Sequence, residues 1–224
     1  MDRRDFLTAG KTKKATPVNP IAFASPTRTL SGINPYTGPW TVNEVIHLLK
    51  RTMFGAKKAD VDFFAAMSMN QAVDALLNVP LAQFTPAPPI KNYANSVDPA
   101  DPDNAIAAGQ TWVNINTNDG SVDSNRTNAY RNWWIGQMVN QNRNILEKMT
   151  LFWHNHFATE TDSIGRAIWC YQNNTVLRKN ALGNFKQFVK EMTTNTGMLR
   201  YQNGYLNTNT APDENYGREL QELF

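Results

Sequence analysis

Two of the chain's three histidines stand one residue apart in Phe152-Trp153-His154-Asn155-His156-Phe157. Imidazole moves protons near neutral pH and ligates divalent metals, so the spacing decides which chemistry is open to the pair. On a strand, alternate side chains share a face and both rings could reach one ion. On a helix, at about 100° per residue, they point roughly 160° apart. The i, i+4 spacing that lets a zinc-protease helix chelate is not the spacing here. Helical phasing over 145–157 puts Met149, Phe152, Trp153, His156 and Phe157 on one apolar stripe, with His156 near its centre. His154 falls on the opposite face with Glu147, beside Leu151. The phasing therefore predicts a buried His156 that must find a polar partner, and a His154 that works apart from it.

A partner is offered by the last segment, Pro212 to Phe224. Pro212 and Asp213 are expected to open a helix whose apolar stripe is Tyr216, Leu220, Leu223 and Phe224. Glu219 lies about 40° from Leu223, at the edge of that stripe. Arg218 points elsewhere and is expected to pair with Glu214 and Glu222 at i±4. A meeting of His156 and Glu219 would make a general base, half a site for a divalent metal, or a buried polar clamp. The carboxylate would raise the imidazole pKa and burial would lower it. His156, Glu219 and His154 are thus the candidate catalytic residues, and His156 with Glu219 the candidate metal ligands. Asp98, Asp101 and Asp103 have carboxylates at close spacing but lack the glycine and closing glutamate of a calcium loop, so they read as solvated. Cys170 is alone, which excludes an intrachain disulfide and cysteine-pair zinc sites.

The elements that must position these groups read as helices. In 224 residues, 41% hydrophobic and 11% aromatic, there is enough apolar material for a core. Net charge is +3 with scattered basic residues, so no nucleic-acid-binding strip is expected. No apolar run approaches the roughly 20 residues of a membrane span. Thr41 and Glu44 fit a capping box, followed by Val45, Leu48, Leu49 and Met53 at helical spacing and a stop at Gly55. A second helix is expected near Ala59, with Phe63, Phe64 and Met67 in the core, and a third from Asn70 to Asn78. Residues 80–128 hold six prolines between Pro80 and Pro102, then Asn-rich sequence. They read as a long surface excursion, with a short hairpin around 111–115 and a turn at Asp119-Gly120. From Tyr130 the helical pattern resumes, with one helix expected over 163–180 and a stripe of Leu182, Phe185, Phe188, Val189 and Met192. The class expected is all-α: a multi-helix globular domain carrying a Pro/Asn-rich surface excursion.

Residues 1–39 form a separate leader, and 40–224 the helical domain. Arg3-Arg4 followed by Asp5-Phe6-Leu7 resembles a twin-arginine export signal, although Lys11, Lys13 and Lys14 interrupt the apolar segment such a signal needs. Export to the periplasm or cell envelope is the expectation, with a cytoplasmic protein if the leader does not function.

Three motifs, 147–159 (EKMTLFWHNHFAT), 181–193 (ALGNFKQFVKEMT) and 211–224 (APDENYGRELQELF), resemble the bacterial family catalogued as domain of unknown function 1800, and 47–55 (HLLKRTMFG) resembles its opening helix. The resemblance implies a largely helical protein, often with a twin-arginine leader, and carries no established activity. It places His47, Arg51, Glu147, Lys148, His154, His156, Asn184, Glu214, Asn215, Arg218 and Glu219 at matching positions. Gly217 stands where alanine is usual. Family members continue beyond the last motif, so the expectation is a fragment whose C-terminal portion is missing. Two functions remain open at this point. One is an exported enzyme with a His/Glu site, metal-assisted or not; the other is a non-catalytic cell-envelope binding or assembly protein with His/Glu clamps in its core.

Overall fold

Thr41 and Glu44 close the expected capping box at the start of helix α1 (Val42–Thr52). The Thr41 hydroxyl accepts from Asn43 N at 3.3 Å, and Glu44 accepts from Thr41 N at 2.9 Å. Ser68 and Gln71 make a second box on α3 (Met69–Leu77), behind α2 (Lys58–Ala65). Val45, Leu49, Met53, Val61, Phe64, Ala72 and Leu76 from these three helices form one core cluster. Phe63 is not in it. At 40% exposure it lies instead beneath the Arg143 guanidinium, 4.4 Å from ring centroid to Cζ. The computed structural model describes residues 35–223, so residues 1–34 of the leader expected over 1–39 lie outside them. Pro35–Gly38 belong to a separate unit, and the compact unit begins at Pro39.

Among the described residues the regular structure is ten α-helices and three short 3-10 turns, with one isolated antiparallel bridge between Ile90 and Thr111. The all-α class holds. The hairpin does not: only that bridge pairs, and Asp119 is the N-cap of α4 (Gly120–Val139), its carboxylate accepting from Ser121 N at 2.8 Å. The excursion is exposed over much of its length but is anchored in the core. Trp112 is fully buried and packs with Ile106, Val113, Ala129, Tyr130, Ala167 and Cys170. Burying one indole returns about 4–6 kcal/mol, enough to order the few residues around it.

Asp101 and Asp103, expected in solvent, are buried. Asp101 accepts from Thr117 Oγ1 at 2.9 Å, Asn118 N at 2.9 Å and Asp119 N at 3.1 Å, pinning the end of the excursion to the start of α4. Asp103 meets Lys91 and Arg126, each at 2.6 Å, and accepts from Tyr93 Oη at 2.9 Å. Burial pushes the Asp103 carboxyl pKa up, but the hydrogen bonds from Lys91, Arg126 and Tyr93 outweigh it and leave it lowered. Only this pairing makes the burial of three charges tolerable.

The remaining helices are α5 (Leu146–His156), α6 (Thr161–Ile164), α7 (Ala167–Lys179), α8 (Phe185–Thr193), α9 (Thr196–Tyr201) and α10 (Asn215–Leu223). The single helix expected over 163–180 is two, because Gly165 takes a left-handed conformation (φ 73°) that ends α6 and turns the chain into α7. Helix α7 is central: α4, α5, α6, α8 and α9 all pack on it. Gly197 lets α9 approach closely, since a β-carbon there would lie 3.1 Å from Trp169 O. Leu182 and Phe185, expected in the α8 stripe, are both partly exposed, while Phe188 and Met192 are buried with Phe157, Leu177 and Met198.

Candidate functional site

Helix α5 delivers the histidines, but its buried face is rotated from the expected one. Leu146, Glu147 and Thr150 are buried, Trp153 packs on the neighbouring core, and Phe157 at the C-cap is buried. Phe152, expected inside, is 51% exposed. The physical reason is Glu147. Arg178 on α7 clamps its carboxylate with two nitrogens, Nη2 to Oε2 at 2.9 Å and Nη1 to Oε1. With Arg178 itself buried beside the Trp133 ring, the charged face of α5 turns inward.

That rotation changes both histidines. His156 is half-buried at the edge of the core, not at its centre. Its ring stacks on Phe152 at 6.2 Å with 6° between the planes, and it meets Trp153 and Phe157 edge-on. His154 is half-buried on the other side, edge-on to Trp134 of α4 with ring centroids 4.9 Å apart. Burial lowers the His154 pKa, partly offset by a hydrogen bond with Asn155. The expected divergence of the two rings is therefore what the helix produces.

His156 opens onto a cleft of about 540 Å³ whose walls are the C-terminal end of α5 with α6, α9 and α10. Glu219 lines the same cleft, so the structure brings these two candidates to one cavity and leaves His154 out of it. Phe157, Met198 and Leu220 give the cleft an apolar side, while Ser163, Tyr201 and Gln202 offer polar groups. The local frame is held by hydrogen bonds. Asn215 Nδ2 donates to Gln202 Oε1 at 2.7 Å, and Tyr216 Oη lies 3.1 Å from Thr193 Oγ1. Helix α10 starts at Asn215, two residues later than its expected opening, with Asp213 accepting from Asn215 N at 2.8 Å.

Glu219 is held by a cation of its own helix. Its carboxylate accepts from Arg218 Nη2 at 3.0 Å. Arg218 also reaches Glu222 at 3.3 Å, as expected, and donates to the Asn215 side-chain Oδ1 at 3.0 Å. Among the described residues no group of three or more His, Cys, Asp or Glu side chains is placed to hold a metal ion. His156 and Glu219 alone would supply half of an ordinary tetrahedral set. Cys170 is buried, donates to Thr161 O at 3.7 Å, and burial pushes its thiol up to about 12, so it is no nucleophile.

Sequence reasoning missed three buried charged groups: the Glu147–Arg178 pair, the Asp103 cluster, and Asp123 of α4. Two signals were available. Arg178 lies in helical phase with the buried Asn174 and Ala167, an arginine on a core-facing row. Asp123 shares a helical row with the buried Arg126 and Tyr130, whereas Asp103 sits in a 3-10 turn where no helical phase marks the core-facing side.

An all-helical domain with a half-apolar cleft at the ends of four helices, holding one imidazole and one carboxylate, is the class that fold and site define. The chain belongs to the family described as Protein of unknown function (DUF1800), whose model matches residues 47–224. No curated protein and no solved structure shows a significant match. No helix among the described residues is long and apolar enough to cross a membrane.

Proposed function

We propose that the cleft lined by His156 and Glu219 is the working site of an exported helical protein, and that the imidazole exchanges a proton with a small ligand bound there. The observation that carries this is the opening of both side chains onto one solvent-reached cleft. A sealed contact in the core would have favoured a structural clamp. The chemistry follows from the groups present. Imidazole is the side chain suited to taking and returning a proton near neutral pH. The carboxylate, steadied by Arg218, would orient a donor group of the ligand, and the apolar wall of Phe157, Met198 and Leu220 would exclude water from one side of it. Were a divalent ion bound here, His156 and Glu219 would supply two of its ligands and the ion would act as a Lewis acid.

Glu147–Arg178 and the Asp103 cluster are buried charge clamps, and neither lines the His156 cleft. The test compares wild type, His156→Asn and Glu219→Gln by thermal melting, alone and against small-molecule and metal libraries, followed by turnover assays of the hits. Ligand-induced stabilisation should vanish in both variants while their unliganded Tm changes little. A hit that both variants bind as wild type does, or a large fall in unliganded Tm for His156→Asn, rules the reading out. Binding without turnover would instead support the cell-envelope binding role. For export, replacing Arg3 and Arg4 by lysine should trap the protein in the cytoplasm on fractionation; unchanged distribution would rule that out.

A further inference from the structure

Asp123 lies at the junction of two polar clefts, of about 240 and 310 Å³, separate from the cleft of His156. Its side chain is 8% exposed, and Oδ1 accepts from Ala167 N, the first N–H of α7, at 3.3 Å. Burial raises its pKa, opposed by the Ala167 N–H and by Arg166 and Arg126. The smaller cleft adds the amides of Asn116 and Asn118, the Arg166 guanidinium and the Trp169 ring. Arg166 is steadied by donating to Thr117 O at 2.8 Å. The larger cleft continues past Asp123 with Ser124, Thr127 and Asn128, closed at its side by the Arg131–Asp162 pair at 2.7 Å.

Four features define what these clefts take. Taken together the two clefts match Arg131 and Arg166 with Asp123 and Asp162, so across both neither an anion nor a cation is favoured. The other polar groups are amides and hydroxyls, which donate and accept together, as vicinal hydroxyls require. Trp169 adds a flat apolar wall suited to the C–H face of a sugar ring. Each volume falls near or below the lower end of the roughly 300–1,000 Å³ of pockets for drug-sized ligands, the size of a single ring unit. We propose that the two clefts joined at Asp123 form one groove for a neutral oligosaccharide, with one sugar unit on each side of that carboxyl. Helix α6 gives Ser163 to the His156 cleft and Thr161 and Asp162 to this groove, so a chain bound here runs along the wall of the proposed working site.

The test titrates the full chain with cello-, malto- and chito-oligosaccharides from methyl glycosides to hexamers, by calorimetry and tryptophan fluorescence. Inorganic phosphate and a uronic-acid oligomer are the charged controls. Saturable binding is expected for at least one neutral series, tighter for the dimer than for its methyl glycoside. Asn118→Ala and Asp123→Asn should each weaken it about threefold to tenfold. Asn118 is an exposed loop side chain, so that variant keeps its melting temperature and serves as the check on folding. Absence of saturable binding by every neutral series, tighter binding of the charged oligomer, equal affinity for single units and dimers, or wild-type affinity in Asn118→Ala overturns the proposal.

Discussion

Glu147 and Arg178 are buried together, and each is tolerated only because of the other. Removing one charge with Glu147→Gln should therefore cost about 3–5 kcal/mol in urea unfolding. The apolar pair Glu147→Leu with Arg178→Met should recover most of that, since it removes both desolvation penalties. His154 has a pH signature of its own. Its folded pKa is lowered by burial from the ordinary imidazole value of about 6.5, so below that pH the unfolded chain takes up a proton that the folded ring resists. The stability contributed by the neutral ring is complete above that pH and declines as pH falls towards the folded value. Unfolding curves for His154→Phe at about pH 7.5 and about pH 5.5 should accordingly lack that part of the wild-type decline. His154 and His156 were separable in the sequence because helical geometry alone parts residues at i and i+2. Which of them faced the core was not, since that depended on an arginine lying far along the chain.

At the scale of elements, local signals were the legible ones. The Thr41/Glu44 box lies within four residues and was read correctly, as was the helical stripe through Phe188 and Met192. The anchors of the excursion were not legible because proline and asparagine describe only the local backbone. Its order comes from Trp112, packed against Ala129, Tyr130 and Ala167, from Asp101, held within the excursion itself, and from Asp103, paired with Lys91 and with Arg126 of α4. Gly165 as a helix break was visible as a glycine but not as a left-handed turn. The packing of α9 on α7 makes a sharp prediction at this scale. Gly197→Ala would set a methyl 3.1 Å from both Trp169 O and Asn173 Cβ, and one of the contacts is backbone. Separating the helices should cost about 1–3 kcal/mol, a fall in Tm of roughly 2–12 °C on a thermal scan.

Across the molecule, α1–α3 share one core, while α4–α9 are organised around α7. The two groups meet at the 140–148 connection. Ile145 N donates to Leu76 O at 3.0 Å, Arg143 pairs with Asp60 at 2.8 Å, and Lys148 lies over the Phe54 ring. Such a seam is where partial opening starts. Hydrogen exchange should show α1–α3 losing protection before α7, and Arg143→Ala should widen the gap by weakening only the seam. Equal protection throughout would argue for one cooperative block. The cluster of Lys91, Asp103 and Arg126 bears on how the protein is assembled. Three segments meet there with charges that cannot be desolvated one at a time without a heavy penalty. The loop from Lys91 to Asp103 is therefore expected to dock as a unit, after α4 exists to present Arg126. That makes the proline-rich segment the last part of the domain to commit and gives the folding reaction a late, concerted closing step.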